Sequence, residues 1–141
     1  MTKRPVPLNY SAMQIKFLTP EEHLDYYKWY EFYNESFPTI LGGELIIAVE
    51  KDGVLGAGII VQPIIRGTSC IFSFITRNPF CDRKFSSAAV DFMIQNLGSI
   101  AKEIGYSSFV SMIGEEPAKA RFRKNGIKES KGSLTLFWGE C

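Results

Sequence analysis

"RNPFCDRKFSSAAVDF" (residues 77–92) joins a polar, basic loop directly to an apolar helix, and its reading decides how the rest of the chain is arranged. The spacing Arg83-x-x-Ser86-x-Ala88 sets two small residues where the helix is expected to begin, at about Ser86. A helix start leaves several backbone N–H groups unpaired and carries positive partial charge, so it suits a phosphate. Small side chains there let a phosphate approach the backbone. The same residues also suit an ordinary surface turn, with Ser86 as the N-cap.

Upstream, "MQIKF" (13–17) alternates as a first strand, and "TPEE" is a helix start with Thr19 as N-cap, Pro20 at N1 and Glu22 closing a capping box. The helix expected over 20–34 places Tyr26, Tyr30, Tyr33 and Phe37 on one face, which leaves Tyr27, Trp29 and Phe32 pointing elsewhere. "ELIIAVEKDGVLGAGIIVQP" (44–63) is a hairpin around Asp52-Gly53, and Gly56 and Gly58 mark a bulge or a close backbone approach. "CIFSFIT" (70–76) is the third strand of that sheet. Downstream, a helix of about 86–103 carries Ala89, Phe92, Met93, Leu97, Ile100 and Ala101 on one face and closes at Gly105. A strand at 109–113, a short helix opened by Pro117 and stopped by Gly126, and a final hairpin complete the chain. The order β-α-β-β-β-α-β-α-β-β predicts an α/β (α+β) mixed sheet with helices on its faces. Residues 1–12, with Pro5 and Pro7, read as an extended arm ahead of a single domain at 13–141.

Composition narrows the function classes. A net charge of +1 and the absence of any nucleic-acid motif exclude a general nucleic-acid binder. No apolar run approaches the roughly 20 residues needed to span a bilayer, so no membrane partner is expected. The start has no apolar stretch of a secretory signal, and Cys70, Cys81 and Cys141 lack metal-ligand spacing. These features point to a cytoplasmic setting with reduced thiols and no metal. Charge is uneven: residues 1–56 carry 5 basic and 8 acidic side chains, and 57–141 carry 11 and 7. The basic half contains the loop at 77–92.

In element order the chain resembles the GNAT superfamily of N-acetyltransferases over residues 13–138. That family's pyrophosphate loop, Arg/Gln-x-x-Gly-x-Gly/Ala, is matched by Arg83, Ser86 and Ala88. In its second signature, Glu115 stands where Asn is usual, Ala118 matches, Phe122 replaces a Tyr, and Gly126-Ile127 matches Gly-Phe. The resemblance implies a GNAT-like acyl-CoA N-acyltransferase fold with acetyl-CoA as co-substrate, lying where the strands at 70–76 and 109–113 splay apart. It implies pyrophosphate contacts from Arg83, Lys84, Phe85, Ser86, Ser87 and Ala88, pantetheine pairing at Ile75 and Thr76, and a cofactor contact at Phe122. Lys119, Arg121, Arg123 and Lys124 stand as 3′-phosphate contacts or as a solvated helix face.

The family's usual acid is a Tyr and a Glu is common as its base; Phe122 and the strand at 70–76 offer neither. Ser73, Thr76 and Glu115 remain as catalytic candidates, the first two to orient a water. Glu115 and Glu116 also suit the helix dipole, His23 a surface position, and Cys81 a thiol with no visible activator. Two functions stay open. One is acetyl transfer to a small-molecule or protein amine. The other is a weakened or inactive GNAT-fold protein acting as a binding or structural part, assembling as a homo-oligomer or with another protein through residues 1–12 and 20–34. A looser likeness of the C-terminal half to phage acetyltransferase-like proteins, some of them virion-associated, goes with the second.

Overall fold

A computed structural model describes residues 13–33, 45–63, 68–111 and 116–128. The arm at 1–12, Phe37, Glu115, the final hairpin and Cys141 lie outside the described residues. Among the described residues, five strands form one sheet in chain order: β1 (Gln14–Phe17), β2 (Leu45–Lys51), β3 (Val54–Pro63), β4 (Ser69–Arg77) and β5 (Ser108–Ser111). The first four pair antiparallel, and β5 joins β4 in parallel. Four helices among the described residues accompany them: α1 (Pro20–Phe32), α2 (Arg83–Gln95), α3 (Leu97–Glu103) and α4 (Glu116–Lys124).

Side chains alternate across the sheet, so each strand feeds two apolar layers. Ile47 and Val49 of β2, Ala57, Ile59 and Val61 of β3, and Cys70 and Phe72 of β4 meet α2, α3 and Phe122 of α4 on one face. Ile46, Ala48 and Ile60 meet Tyr26, Trp29 and Tyr30 of α1 on the other. The α1 capping box forms as expected, with Glu22 N–H donating to the Thr19 hydroxyl and Thr19 N–H to the Glu22 carboxylate. Lys16 of β1 then bridges Glu22 at 2.7 Å and Glu50 of β2 at 3.5 Å, tying the helix start to the sheet. The Lys16 hydrogen bond, followed by the Thr19 bonds, holds the Glu22 carboxyl below its usual range.

β3 takes its shape from Gly56. Val49 pairs with Ala57 but Glu50 pairs with Leu55, so Gly56 is an extra residue in the strand. The bulge sends Gly56 and Gly58 to opposite faces. A Cβ on Gly56 would stand 2.7 Å from the Ala89 Cβ and 2.9 Å from the Phe85 ring; one on Gly58 would stand 2.6 Å from the Tyr26 ring. The hairpin turn has φ of 51° at Asp52 and 80° at Gly53, the pair of left-handed residues that a two-residue turn requires.

Two expectations are corrected. The aromatic face of α1 buries Tyr26, Trp29 and Tyr30, so Trp29 belongs to the core and Tyr33 stands at the C-cap, its hydroxyl donating to the Arg77 carbonyl. The long helix begins at Arg83 rather than Ser86 and breaks at Asn96. There the Asn96 amide donates to the Phe92 carbonyl at 2.7 Å, while its own N–H turns to Met93, which replaces the regular i−4 bond. Between β4 and β5, Cys70–Phe72 pair with Phe109–Ser111 in parallel.

Gly58→Ala would force a methyl into a fully buried Tyr26 ring, and a loss of about 1–3 kcal/mol in urea unfolding is expected. Burial, then the Tyr30 and Thr76 interactions, set the Tyr26 phenol, with its ionisation pushed well above the ordinary range. The folded state therefore keeps its proton where the unfolded chain has lost it. This contribution to stability is complete below about pH 10 and is lost as pH rises further. Tyr26→Phe should flatten the decline of stability measured between about pH 9 and 11.

Candidate functional site

The bulge at Gly56 leads to the start of α2. Asn78 N–H donates to the Gly56 carbonyl at 2.9 Å, and the Asn78 amide donates to Leu55 at 2.6 Å. The Asn78 side-chain oxygen in turn accepts Phe80 N–H at 2.8 Å. The bulged strand thus fixes the turn that delivers residue 82. Asp82 is the N-cap of α2: its carboxylate accepts Phe85 N–H at 3.0 Å, and its carbonyl accepts Ser86 N–H. Asp is a favoured cap, worth about 1 kcal/mol over Ala.

This start re-sorts the expected phosphate contacts. Ser86 lies one turn inside the helix at 1% exposure, on the apolar stripe that continues through Ala89, Val90, Met93 and Ile94. Its hydroxyl donates to the Arg83 carbonyl and its N–H is already used. Ser86 is therefore a core residue and not the N-cap. Phe85 packs against the core beneath the Lys51 ammonium, 5.9 Å from the ring centre. Ser87 accepts a hydrogen bond from the Arg121 guanidinium. Arg83, Lys84 and Ala88 are exposed. Arg83 and Lys84 occupy the first two helical positions, whose N–H groups have no carbonyl within the helix to pair with.

β4 carries a second bulge. Gly58 pairs with Thr76 and Ile60 with Ser73, so residues 74 and 75 stand opposite Ile59 alone. The extra residue turns Ile75 toward the α2 face and Thr76 toward α1. Thr76 is hydrogen-bonded to the buried Tyr26 phenol. Ser73, opposite Ile60, shares the α1 side and donates to the Gln62 amide oxygen at 3.4 Å. Sequence reasoning assigned the backbone of Ile75 and Thr76 as one contact; neighbouring strand residues alternate faces, and the bulge decides that Ile75 takes the α2 side and Thr76 the α1 side.

The basic run on α4 is engaged. Arg121 reaches Asp91 of α2 at 3.2 Å and Lys124 reaches it at 3.5 Å, while Arg123 and Lys119 pair with Glu116 at 3.0 and 3.9 Å. Asn125 completes the α2–α4 contact through Asp91 and Gln95. Phe122 is buried in the main core, and α4 ends with Ile127 N–H donating to Phe122 and Gly126 N–H to Arg123, with Gly126 at φ 81°. These are the bonds of a Schellman ending. Glu116 neutralises neighbouring cations at a helix start. His23 lies in the first turn of α1, half-buried, beside Tyr27. Burial, with Asp82 adding to it, pushes the Cys81 thiol up, which keeps it protonated and unfit as a nucleophile.

Sequence reasoning missed Ser111, whose hydroxyl is buried without a hydrogen-bond partner among the described residues. Nothing in the strand sequence Ser-Phe-Val-Ser marks it. An open hollow of about 780 Å³ between α3 and the start of β5, lined by residues such as Lys102, Tyr106 and Ser108, lies at the opposite end of β5 from Ser111. No described helix is long and apolar enough to cross a membrane.

No family model and no curated protein matches the sequence. Solved structures do match the fold. An aminoglycoside acetyltransferase from an uncultured soil metagenomic sample, crystallised with sisomicin, superposes with a TM-score of 0.68 at 8% identity, over 93% of this chain and 98% of that one. An aminoglycoside 6′-N-acetyltransferase of Acinetobacter baumannii gives 0.59 at 12%, over 92% and 99%. A ribosomal-protein-alanine N-acetyltransferase of Brucella melitensis gives 0.59 at 14%, over 91% and 99%. The chain has the GNAT acyl-CoA N-acyltransferase fold. The looser likeness to phage proteins draws no support from these structures.

Asp82→Asn retains a capping oxygen and removes the charge. Its stability in urea should stay within about 0.5 kcal/mol of the parent, whereas Asp82→Ala should lose about 1 kcal/mol.

Proposed function

We propose that the chain transfers the acetyl group of acetyl-CoA to an amine. The observation that carries this reading is the start of α2: two exposed basic residues on an open helix N-terminus, delivered by a bulged strand, within a GNAT fold. The macrodipole favours an anion there, and Arg83 and Lys84 add two full charges.

The residues present fit the cofactor with one change from the sequence motif. The pyrophosphate is assigned to the Arg83 and Lys84 N–H groups and side chains, with Ser87 and Arg121 alongside, and not to Ser86. The Ile75–Thr76 backbone, next to the β4 bulge, is assigned to the pantetheine. When bound, the cofactor supplies an activated acyl group as a thioester. The amine nitrogen bonds to the acyl carbon, the C–S bond breaks with its electron pair going to sulfur, and the amine proton leaves to solvent. On the α1 side, Ser73 and Gln62 form a polar pair that can orient the amine or a water. Glu115 lies outside the described residues and stays a candidate base.

The acceptor is proposed to be a small-molecule amine, since the aminoglycoside enzymes among the structural neighbours act on such compounds. A second reading, cofactor binding without efficient turnover, is favoured by Phe122: it stands where the family's Tyr is usual, is buried in the core and offers no proton.

Calorimetry with acetyl-CoA tests the assignment. Lys84→Glu changes an exposed residue and should leave unfolding unaffected while weakening affinity at least tenfold, about 1.4 kcal/mol. Unchanged affinity in the folded variant would remove this helix start from the site. Turnover with an amine panel, monitored by thiol release, then separates the two readings.

A further inference from the structure

Gly98 is set apart from the other described glycines, which answer either to a positive φ or to a neighbour that a methyl would strike. It stands in the first turn of α3, outside the left-handed region. A Cβ built on it would meet only the Phe109 ring, at 4.0 Å, an ordinary van der Waals distance. Glycine is the poorest helix former after proline, so alanine would serve this helix better at no cost in packing. What the missing side chain leaves is space: Gly98 lines the open hollow of about 780 Å³ between α3 and the start of β5.

The lining supplies two kinds of surface. Gly98, Ala101 and the half-buried Phe109 ring are apolar, while Lys102, Tyr106 and Ser108 are polar. The Ser108 hydroxyl is committed to Ser69. Lys102 is exposed, and among the described residues no carboxylate lies within ion-pair distance of it. Glu103 follows it in the chain but does not line the hollow. The short α3 carries only partial negative charge at its C-terminus, less than the full charge of the ammonium. The hollow therefore sets one uncompensated cation beside an aromatic ring and a smooth apolar surface. Its volume falls among small-molecule pockets, which run from about 300 to 1,000 Å³.

We propose that this hollow is a binding site for a small aromatic carboxylate, its ring against Phe109 and the Gly98–Ala101 surface and its carboxylate paired with Lys102. Nothing that lines the hollow is assigned above to acetyl-CoA or to the amine. It is a second site, and its occupancy does not depend on the function proposed for the first. Gly98 keeps the hollow open, Phe109 selects a flat ring, and Lys102 selects the charge.

The full-length chain is titrated with naphthalene-2-carboxylate and with its uncharged carboxamide, and its melting is followed without ligand. The parent should bind the carboxylate with a Kd below about 1 mM and at least about fivefold more tightly than the carboxamide. Lys102→Glu, at an exposed position, should weaken the carboxylate at least about fivefold and leave the carboxamide within about twofold. Gly98→Leu places a side chain in the hollow; it should melt at the same temperature or higher and lose both probes. Saturating acetyl-CoA should leave the carboxylate's affinity unchanged. A parent that binds the two probes equally or not at all overturns the proposal, as does unchanged binding in Lys102→Glu or in a folded Gly98→Leu. Competition between the carboxylate and acetyl-CoA overturns it as well, because the probe would then occupy the other site.

Discussion

Two glycines two residues apart would point to the same side of a regular strand. In β3 they point to opposite sides, and the arrangement of the molecule depends on that. The bulge at Gly56 gives α2 an approach to the sheet that a single methyl would block at Ala89 and Phe85. Gly58 gives α1 the same closeness through Tyr26. One strand therefore sets the depth of both helical layers. Carbonyls next to the same bulge, Leu55 and Gly56, also hold Asn78, the turn residue that precedes the candidate site. Packing and site geometry share one local irregularity, and a change at Gly56 would be felt in both.

Electrostatics at the α2 start are a balance. Asp82 satisfies a first-turn donor and strengthens the helix, yet its carboxylate opposes an anion at the same place. Two unit charges 4 Å apart interact by about 1 kcal/mol in water and about 4 at the effective dielectric of a protein surface. One carboxylate is outnumbered by Arg83 and Lys84 beside it and Lys51 above Phe85. Salt weakens exposed pairs over about 8 Å, so the nearest cations decide. On that count the site keeps a net attraction for phosphate, with Asp82 moderating it.

Elements with their own local chemistry were legible in the sequence. The Thr19 capping box, the Asp52-Gly53 turn, the glycine-marked bulge and the helix endings at Gly105 and Gly126 each rest on a few adjacent residues. The misreadings arose where two local signals competed or where the third dimension decided. Asp82 and Ser86 are both good caps; Ser86 falls on the apolar stripe of α2 and was drawn into the core. Asn96 sits in an apolar run that reads as continuous, and only its side-chain bond to Phe92 breaks the helix. In α1, both i+3 and i+4 neighbours of Tyr26 share its face, so Trp29 is as well placed as Tyr30. The β4 bulge carries no glycine to announce it, so the separation of Ile75 to the α2 side and Thr76 to the α1 side, and not the reverse, had no sequence signal.

That separation bears on what the aromatic helix is for. The structural reading drew on the missing acid and base and on α1, whose Tyr27, Trp29 and Phe32 were expected to point away from its main aromatic face. The sheet absorbs most of the α1 rings: Tyr26, Trp29 and Tyr30 fill the layer opened by Gly58, and Tyr26 also meets Thr76. Tyr33 spends its hydroxyl on the Arg77 carbonyl at the end of β4. What is left outside the core is Phe32, 56% exposed and edge-on to Phe80, together with the half-buried Tyr27. Phe80 belongs to the turn that Asn78 anchors, so this ring pair joins the end of α1 to the loop before α2. The aromatics thus connect the α1 layer to the candidate site at two points, Thr76 and Phe80. An α1 built chiefly as a partner surface would have more of its rings left uncommitted, whereas here the helix braces the strand and turn on which the proposed chemistry depends.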